Sequence, residues 1–177
     1  KSNPAFDVRH GWKVKVPERL YNFGEIYNLS VGRGTLTEEE RFKINEHIIQ
    51  TIVMLEALPL PRQFRRVPEY AGTNHETLIG TGYPRQLDAE QLSIPSRIMA
   101  IADIFEALTA SDRPYKPMKT LSECIRILAV FRDEQHIDPD LFDLFLNSGI
   151  YQQYAERFLK PEQIDLVDIA RYVRAPA

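Results

Sequence analysis

From Ile98 to Leu108 the chain reads I-M-A-I-A-D-I-F-E-A-L, and Glu106 is the only charge in this run besides Asp103. On a helix the residues three and four positions from Asp103 are Met99, Ala100, Glu106 and Ala107, so its carboxylate faces largely apolar surroundings. An ionised carboxylate without a partner is costly there. Asp103 is therefore paired with a cation, bound to a metal, or protonated. Spacing alone favours a salt bridge or a helix cap over a metal ligand.

The rest of the chain is punctuated as helices. Ser93 and Pro95 supply a cap and a first-turn proline for the Asp103 helix. Thr37 and Glu40 form a capping box, after which Ile44, Ile48, Ile52 and Leu55 recur at helical spacing until Pro59 and Pro61 stop the segment near Leu58. A second helix is expected from about Pro68 to Glu76, delivering His75 at its carboxyl end. The loop from Thr77 to Ser93 is long. In it Gly80 and Gly82 supply positive φ, and Pro84 fixes Tyr83 as extended.

Thr120 and Glu123 make a second capping box, with Leu121, Cys124, Ile125, Leu128 and Phe131 as the buried face. Asp138-Pro139 opens a helix that Asn147 and Gly149 close. Tyr151–Leu159 and Glu162–Arg174 read as two more, and Pro17 opens a short one that Gly24 interrupts. Convincing β alternation is absent, and the expected fold is all-α.

With 177 residues, 44% of them hydrophobic and 27% charged, the chain suits one soluble domain with a tail rather than a disordered or fibrous protein. A net charge of −3 gives no basic field for DNA, RNA or an acidic membrane surface. Cys124 is the only cysteine, which excludes an internal disulfide framework and fits a reducing, cytoplasmic setting. No run of about eighteen apolar residues is present to span a membrane. The chain starts at Lys1 and reads as a piece of a longer protein. His10 stands alone and reads as a surface residue, and Arg62, Arg65 and Arg66 read as a solvated face.

Asn74-His75-Glu76, Gly80-Thr81-Gly82-Tyr83-Pro84, Asp103, Ala107-Leu108-Thr109 and Asp112-Arg113-Pro114-Tyr115 follow one another at a spacing that resembles the HD-GYP family. Its members are metal-dependent phosphodiesterases of cyclic di-GMP within the HD phosphohydrolases. Leu36-Thr37-Glu38-Glu39-Glu40 followed by His47 resembles a further stretch of that family. The resemblance implies an HD-domain-like helical bundle with a long G-x-G-Y-P loop. It divides the chain into an irregular segment at 1–33, the core at 34–148 and a C-terminal helical appendage or dimer surface at 149–177.

Phosphodiester hydrolysis benefits from metal ions that activate water and screen phosphoryl charge, and mixed imidazole and carboxylate ligands suit Fe or Mn. By resemblance His47, His75 and Asp103 are the metal ligands. Gly80, Gly82, Tyr83, Pro84 and Arg113 form a loop that meets a cyclic dinucleotide or a protein partner, with Arg113 either near substrate or paired with Asp103. The chain departs from the family at Asn74, where a histidine is expected, and at Ile79, where an aspartate is expected. It departs again near Glu18 and Arg19, where a His-Asp pair belongs. Two expectations follow: a phosphodiesterase with impaired or absent hydrolysis, or a regulatory module that keeps the fold without turnover.

Overall fold

Each capping box starts a helix where the sequence puts it. In a computed structural model that describes residues 10–19, 24–31, 36–110 and 118–174, Thr37 accepts from the Glu40 amide while Glu40 accepts from the Thr37 amide. Thr120 and Glu123 do the same. The described residues form α1 (Glu25–Leu29), α2 (Glu38–Glu56), α3 (Val67–Gly72), α4 (Ile94–Thr109), α5 (Leu121–Asp133), α6 (Pro139–Asn147) and α7 (Ile150–Phe158). Among them the sole β feature is a bridge between Ile79 and Asp88, so the fold is all-α. None of these helices is long and apolar enough to cross a membrane.

α4 to α7 surround the main core, in which Phe105, Leu121, Cys124, Ile125, Leu128, Phe142, Leu146 and Ala155 are buried. A second, smaller cluster centres on Ile48 and Ile49 of α2, with Trp12, Val14, Val53 and Tyr83 packed over them. α3 lies hard against α2 at Gly72, where a Cβ would stand 2.5 Å from the Ile52 side chain. Arg97 of α4 joins the halves. It donates to the Leu92 carbonyl at 3.0 Å and to Asp138, the cap of α6, at 2.8 Å.

Several expected boundaries move, each for a tertiary reason. The buried face of α2 is Phe42, Ile48, Ile49 and Ile52, whereas Ile44 is 52% exposed, because α3 and the Tyr83 loop cover a different side of the helix. α3 ends at Gly72, leaving His75 in the turn beyond it. Ser93 occupies the cap position of α4, but its hydroxyl donates to Glu69 instead. The expected helix from Glu162 to Arg174 is replaced by two 3-10 turns, Pro161–Gln163 and Ile169–Arg171. Between them Asp165 accepts from the amide and hydroxyl of Ser122. Buried Gln163 donates to the Thr109 and Lys119 carbonyls. Long-range bonds at both residues hold the chain extended, overriding helix propensity. The tail is packed on the main core through Val167, Ile169, Tyr172 and Val173.

The expected helix after Pro17 is reduced to α1, with Pro17 to Arg19 non-helical and residues 20–23 outside the described residues. Residues 32–35 and the Asp112-Arg113-Pro114-Tyr115 motif also lie outside them.

Candidate functional site

The fold brings together the two histidines that the sequence singled out. His47 projects from the middle of α2 and His75 from the turn after α3, and their Nε2 atoms stand 3.3 Å apart. The rings meet edge to face with centroids 5.2 Å apart. The Nδ1 of His47 donates to the Ile44 carbonyl, so in the neutral ring the lone pair is on Nε2.

The other face of His75 stacks on Tyr83, with centroids 4.8 Å apart and planes 13° from parallel. Burial lowers the affinity of His75 for a proton; the charge of Asp103 works against this, and His47 and His136 reinforce it. The net shift is downward, leaving a neutral imidazole at neutral pH. Tyr83 is pushed up by burial and by Asp103, so its phenol stays protonated.

Asp103 is half-buried rather than enclosed, since Met99 and Glu106 on its own helix are exposed. Among the described residues no lysine or arginine forms an ion pair with it; its electrostatic neighbours are His75 and Tyr83. Arg113, the sequence's other candidate partner, lies outside the described residues. No three His, Cys, Asp or Glu side chains among the described residues are drawn close enough to hold an ion.

The spacing of the two imidazoles is compatible with a shared ion as well as with an N–H···N hydrogen bond. Ligand nitrogens about 2.0–2.1 Å from a tetrahedral ion lie roughly 3.3–3.4 Å apart, the spacing seen here. Next to His75, the side-chain oxygen of Asn74 is buried without a hydrogen-bond partner.

The G-x-G-Y-P loop is held from below by Glu76. This buried carboxylate accepts from the Arg85 amide at 2.7 Å and the Leu87 amide at 2.9 Å. Burial raises its pKa against the pull of those amides. Gly80 has φ +70, as expected, but Gly82 is required for clearance: a Cβ there would lie 2.5 Å from the His75 carbonyl and closer still to Glu76. The Tyr83 amide donates to that same carbonyl at 3.2 Å, which locks the loop to the His75 turn. Thr81 is fixed through the Thr77 hydroxyl at 2.9 Å.

Sequence reasoning did not single out His136, which is pushed below its ordinary pKa mainly by burial and is felt by His75. Its place beside the site depends on the chain's return after α5, a long-range fact with no local signature. His10 is also more than a surface residue. Its ring stacks on Trp12, with centroids 5.1 Å apart, and its Nδ1 lies 3.3 Å from Glu56. Glu18 and Arg19, where the family's His-Asp pair was expected, are both exposed.

The HD domain model matches residues 4–141. The chain is 37% identical over 155 residues to a protein named 3'3'-cGAMP-specific phosphodiesterase 1 from Vibrio cholerae, covering 81% of this chain and 34% of that protein. A cyclic di-GMP phosphodiesterase of Vibrio cholerae is 33% identical over 150 residues, covering 82% of this chain and 28% of the relative. One of Thermotoga maritima is 31% identical over 134 residues, covering 76% and 33%. The chain thus spans about a third of the length of these curated relatives. The match over most of its length, together with the paired histidines and the G-x-G-Y-P loop, makes the chain a member of the HD domain family, of the HD-GYP type.

Proposed function

We propose that this chain is the substrate-loop and partial metal-binding portion of a phosphodiesterase acting on a cyclic dinucleotide. The reading is carried by the His47 and His75 Nε2 atoms converging at 3.3 Å. In it these two imidazoles hold a divalent ion, Fe or Mn by ligand chemistry, and Asp103 supplies the adjacent negative charge. Such an ion supplies Lewis acidity toward a phosphodiester oxygen.

The chain's own residues have defined parts. Burial keeps His75 neutral and therefore able to donate its lone pair. The Ile44 carbonyl fixes the tautomer of His47. The Tyr83 phenol, kept protonated, is a hydrogen-bond donor for a phosphate oxygen, and Gly82 lets its backbone sit against the His75 turn. Arg113 is assigned by resemblance alone, either to the substrate phosphate or to Asp103. Asn74 offers a buried, unpaired oxygen where the family has an imidazole.

A regulatory module without turnover is the second reading. Exposed Glu18 and Arg19, and a histidine pair without an assembled third ligand among the described residues, favour it. On either reading the G-x-G-Y-P loop is the surface for a cyclic dinucleotide or a protein partner, and a homodimer is compatible with both.

The deciding experiment is metal content per chain, by elemental analysis of protein purified without oxygen or chelator, beside His75→Ala. Hydrolysis of cyclic di-GMP and of 3'3'-cGAMP is then followed. An ion lost in His75→Ala, with turnover of either nucleotide, is the expected result. A retained ion without turnover selects the regulatory module, and absence of any ion from the parent sinks the metal reading.

A further inference from the structure

The segment from His10 to Val14 has no regular structure after the 3-10 residue His10, yet four of its residues, His10, Trp12, Lys13 and Val14, are fastened to the rest of the protein. Its Lys13 amide donates to the Pro84 carbonyl at 2.8 Å. Its His10 carbonyl accepts from Arg85 Nε at 3.1 Å. The Arg85 guanidinium lies 4.8 Å from the centre of the Trp12 ring, and Trp12 and Val14 pack on Ile48 and Ile49 of α2. Glu56, at the end of α2, takes both His10 Nδ1 at 3.3 Å and Arg85 Nη2 at 3.6 Å.

These anchors fall on two elements. Ile48, Ile49 and Glu56 belong to α2, the helix of His47. Pro84 and Arg85 belong to the loop whose Tyr83 stacks on His75. The strap therefore bridges α2, which carries His47, and the loop whose Tyr83 stacks on His75. Its grip is two hydrogen bonds, stacking, ion pairing and apolar packing, while the indole N–H of Trp12 is buried without an acceptor. An unsatisfied donor works against the docked position, so the strap can be released without disturbing the main core.

We propose that His10–Val14 is a clasp, with Trp12 as a positioning residue, that holds the Tyr83 loop against α2 and thereby sets the spacing of His47 and His75. The consequence for ion binding rests on the proposed function above; the clasp itself does not. Release of the strap frees Tyr83 from Ile48 and Ile49, and the stack on His75 loosens.

The test is NMR of the metal-free protein, using the ring-current shifts that Tyr83 imposes on the His75 ring protons. In Trp12→Ala these shifts collapse toward exposed-histidine values, while the His136 ring signals and far-UV circular dichroism stay as in the parent. Unchanged His75 shifts overturn the clasp. Should Trp12→Ala not fold, Glu56→Gln decides. It removes the shared carboxylate, and a smaller His75 change in the same direction is expected, together with a red shift in emission from Trp12, the only tryptophan. No change in either signal overturns the proposal. In a parallel Zn(II) titration the loosened variant binds about tenfold more weakly, the scale of lost outer-sphere support. Equal affinity counts against the clasp. A parent that takes no Zn(II) removes the metal reading, and the His75 shifts then decide on the clasp alone.

Discussion

The two packed regions of this protein are built in opposite ways. Around α4 to α7, twelve buried residues form one cluster, from Ile101 to Ala155. Around α2 and the G-x-G-Y-P loop the equivalent cluster among the described residues has two, Ile48 and Ile49, with Trp12, Val14, Val53 and Tyr83 packed over them, and ring stacking, carboxylate-to-amide bonds and glycine clearances add to it. Among the described site residues, His47, His75 and the G-x-G-Y-P loop lie in the thinly packed region and Asp103 lies in the dense one. Low local burial permits small readjustments of paired side chains, whereas a dense core has one arrangement. The dense half positions Asp103 and His136, and the thin half positions His47, His75 and Tyr83.

The largest test of this contrast is Phe142→Ala. Phe142 is fully buried, and truncation should cost about 3–5 kcal/mol in urea unfolding followed by far-UV circular dichroism. A much smaller loss would mean that the scaffold is not where the stability resides. In the parent, Trp12 emission should change at lower urea than circular dichroism; coincident transitions would erase the distinction.

Gly82→Ala comes next. The added methyl meets backbone rather than a flexible side chain, so a cost of about 1–3 kcal/mol is expected from forced displacement. It should also separate Tyr83 from His75, seen as lost ring-current shifts in the His75 ring. Retention of those shifts would show that the loop adapts elsewhere.

The capping boxes sharpen the comparison further. Thr120→Ala in the dense half and Thr37→Ala in the thin half each remove one reciprocal pair, worth about 1 kcal/mol by thermal denaturation. Unequal losses would show that α2 frays before the core melts.

The smallest effect is a pH dependence. The folded pKa of His136 lies below its ordinary value, chiefly through burial, so the unfolded chain takes up the proton first as pH falls. Its contribution is therefore fully present above about pH 6.5 and declines below it. His136→Gln should lose less stability than the parent between about pH 7 and pH 5.5, read from thermal midpoints. An equal loss in both would assign the decline to other groups.

Local chemistry was legible wherever one or two turns of helix decide it. Thr37 with Glu40, Thr120 with Glu123, and Asp138 ahead of Pro139 start their helices as read. Gly149 closes α6 in the left-handed conformation, and Cys124 is a buried core residue. We propose that the chain divides at 33 and 148 as expected, with the C-terminal part packed on the main core through Val167, Ile169, Tyr172 and Val173. What local pattern missed is long-range: Ile44 turned outward, Gln163 and Asp165 drawn from a helix into distant bonds, and Trp12 folded back over α2.

The sequence by itself determined an all-α chain of the HD-GYP type and singled out the residues proposed here as ligands, because helix caps and short motifs act over a few bonds. Only the tertiary structure decided which of them meet. His47 and His75 are 28 positions apart. Their approach depends on Ile52 seating Gly72, Gly82 clearing the His75 carbonyl, and Glu76 gathering the loop amides, contacts among residues far apart in the chain and unrecorded by any periodicity.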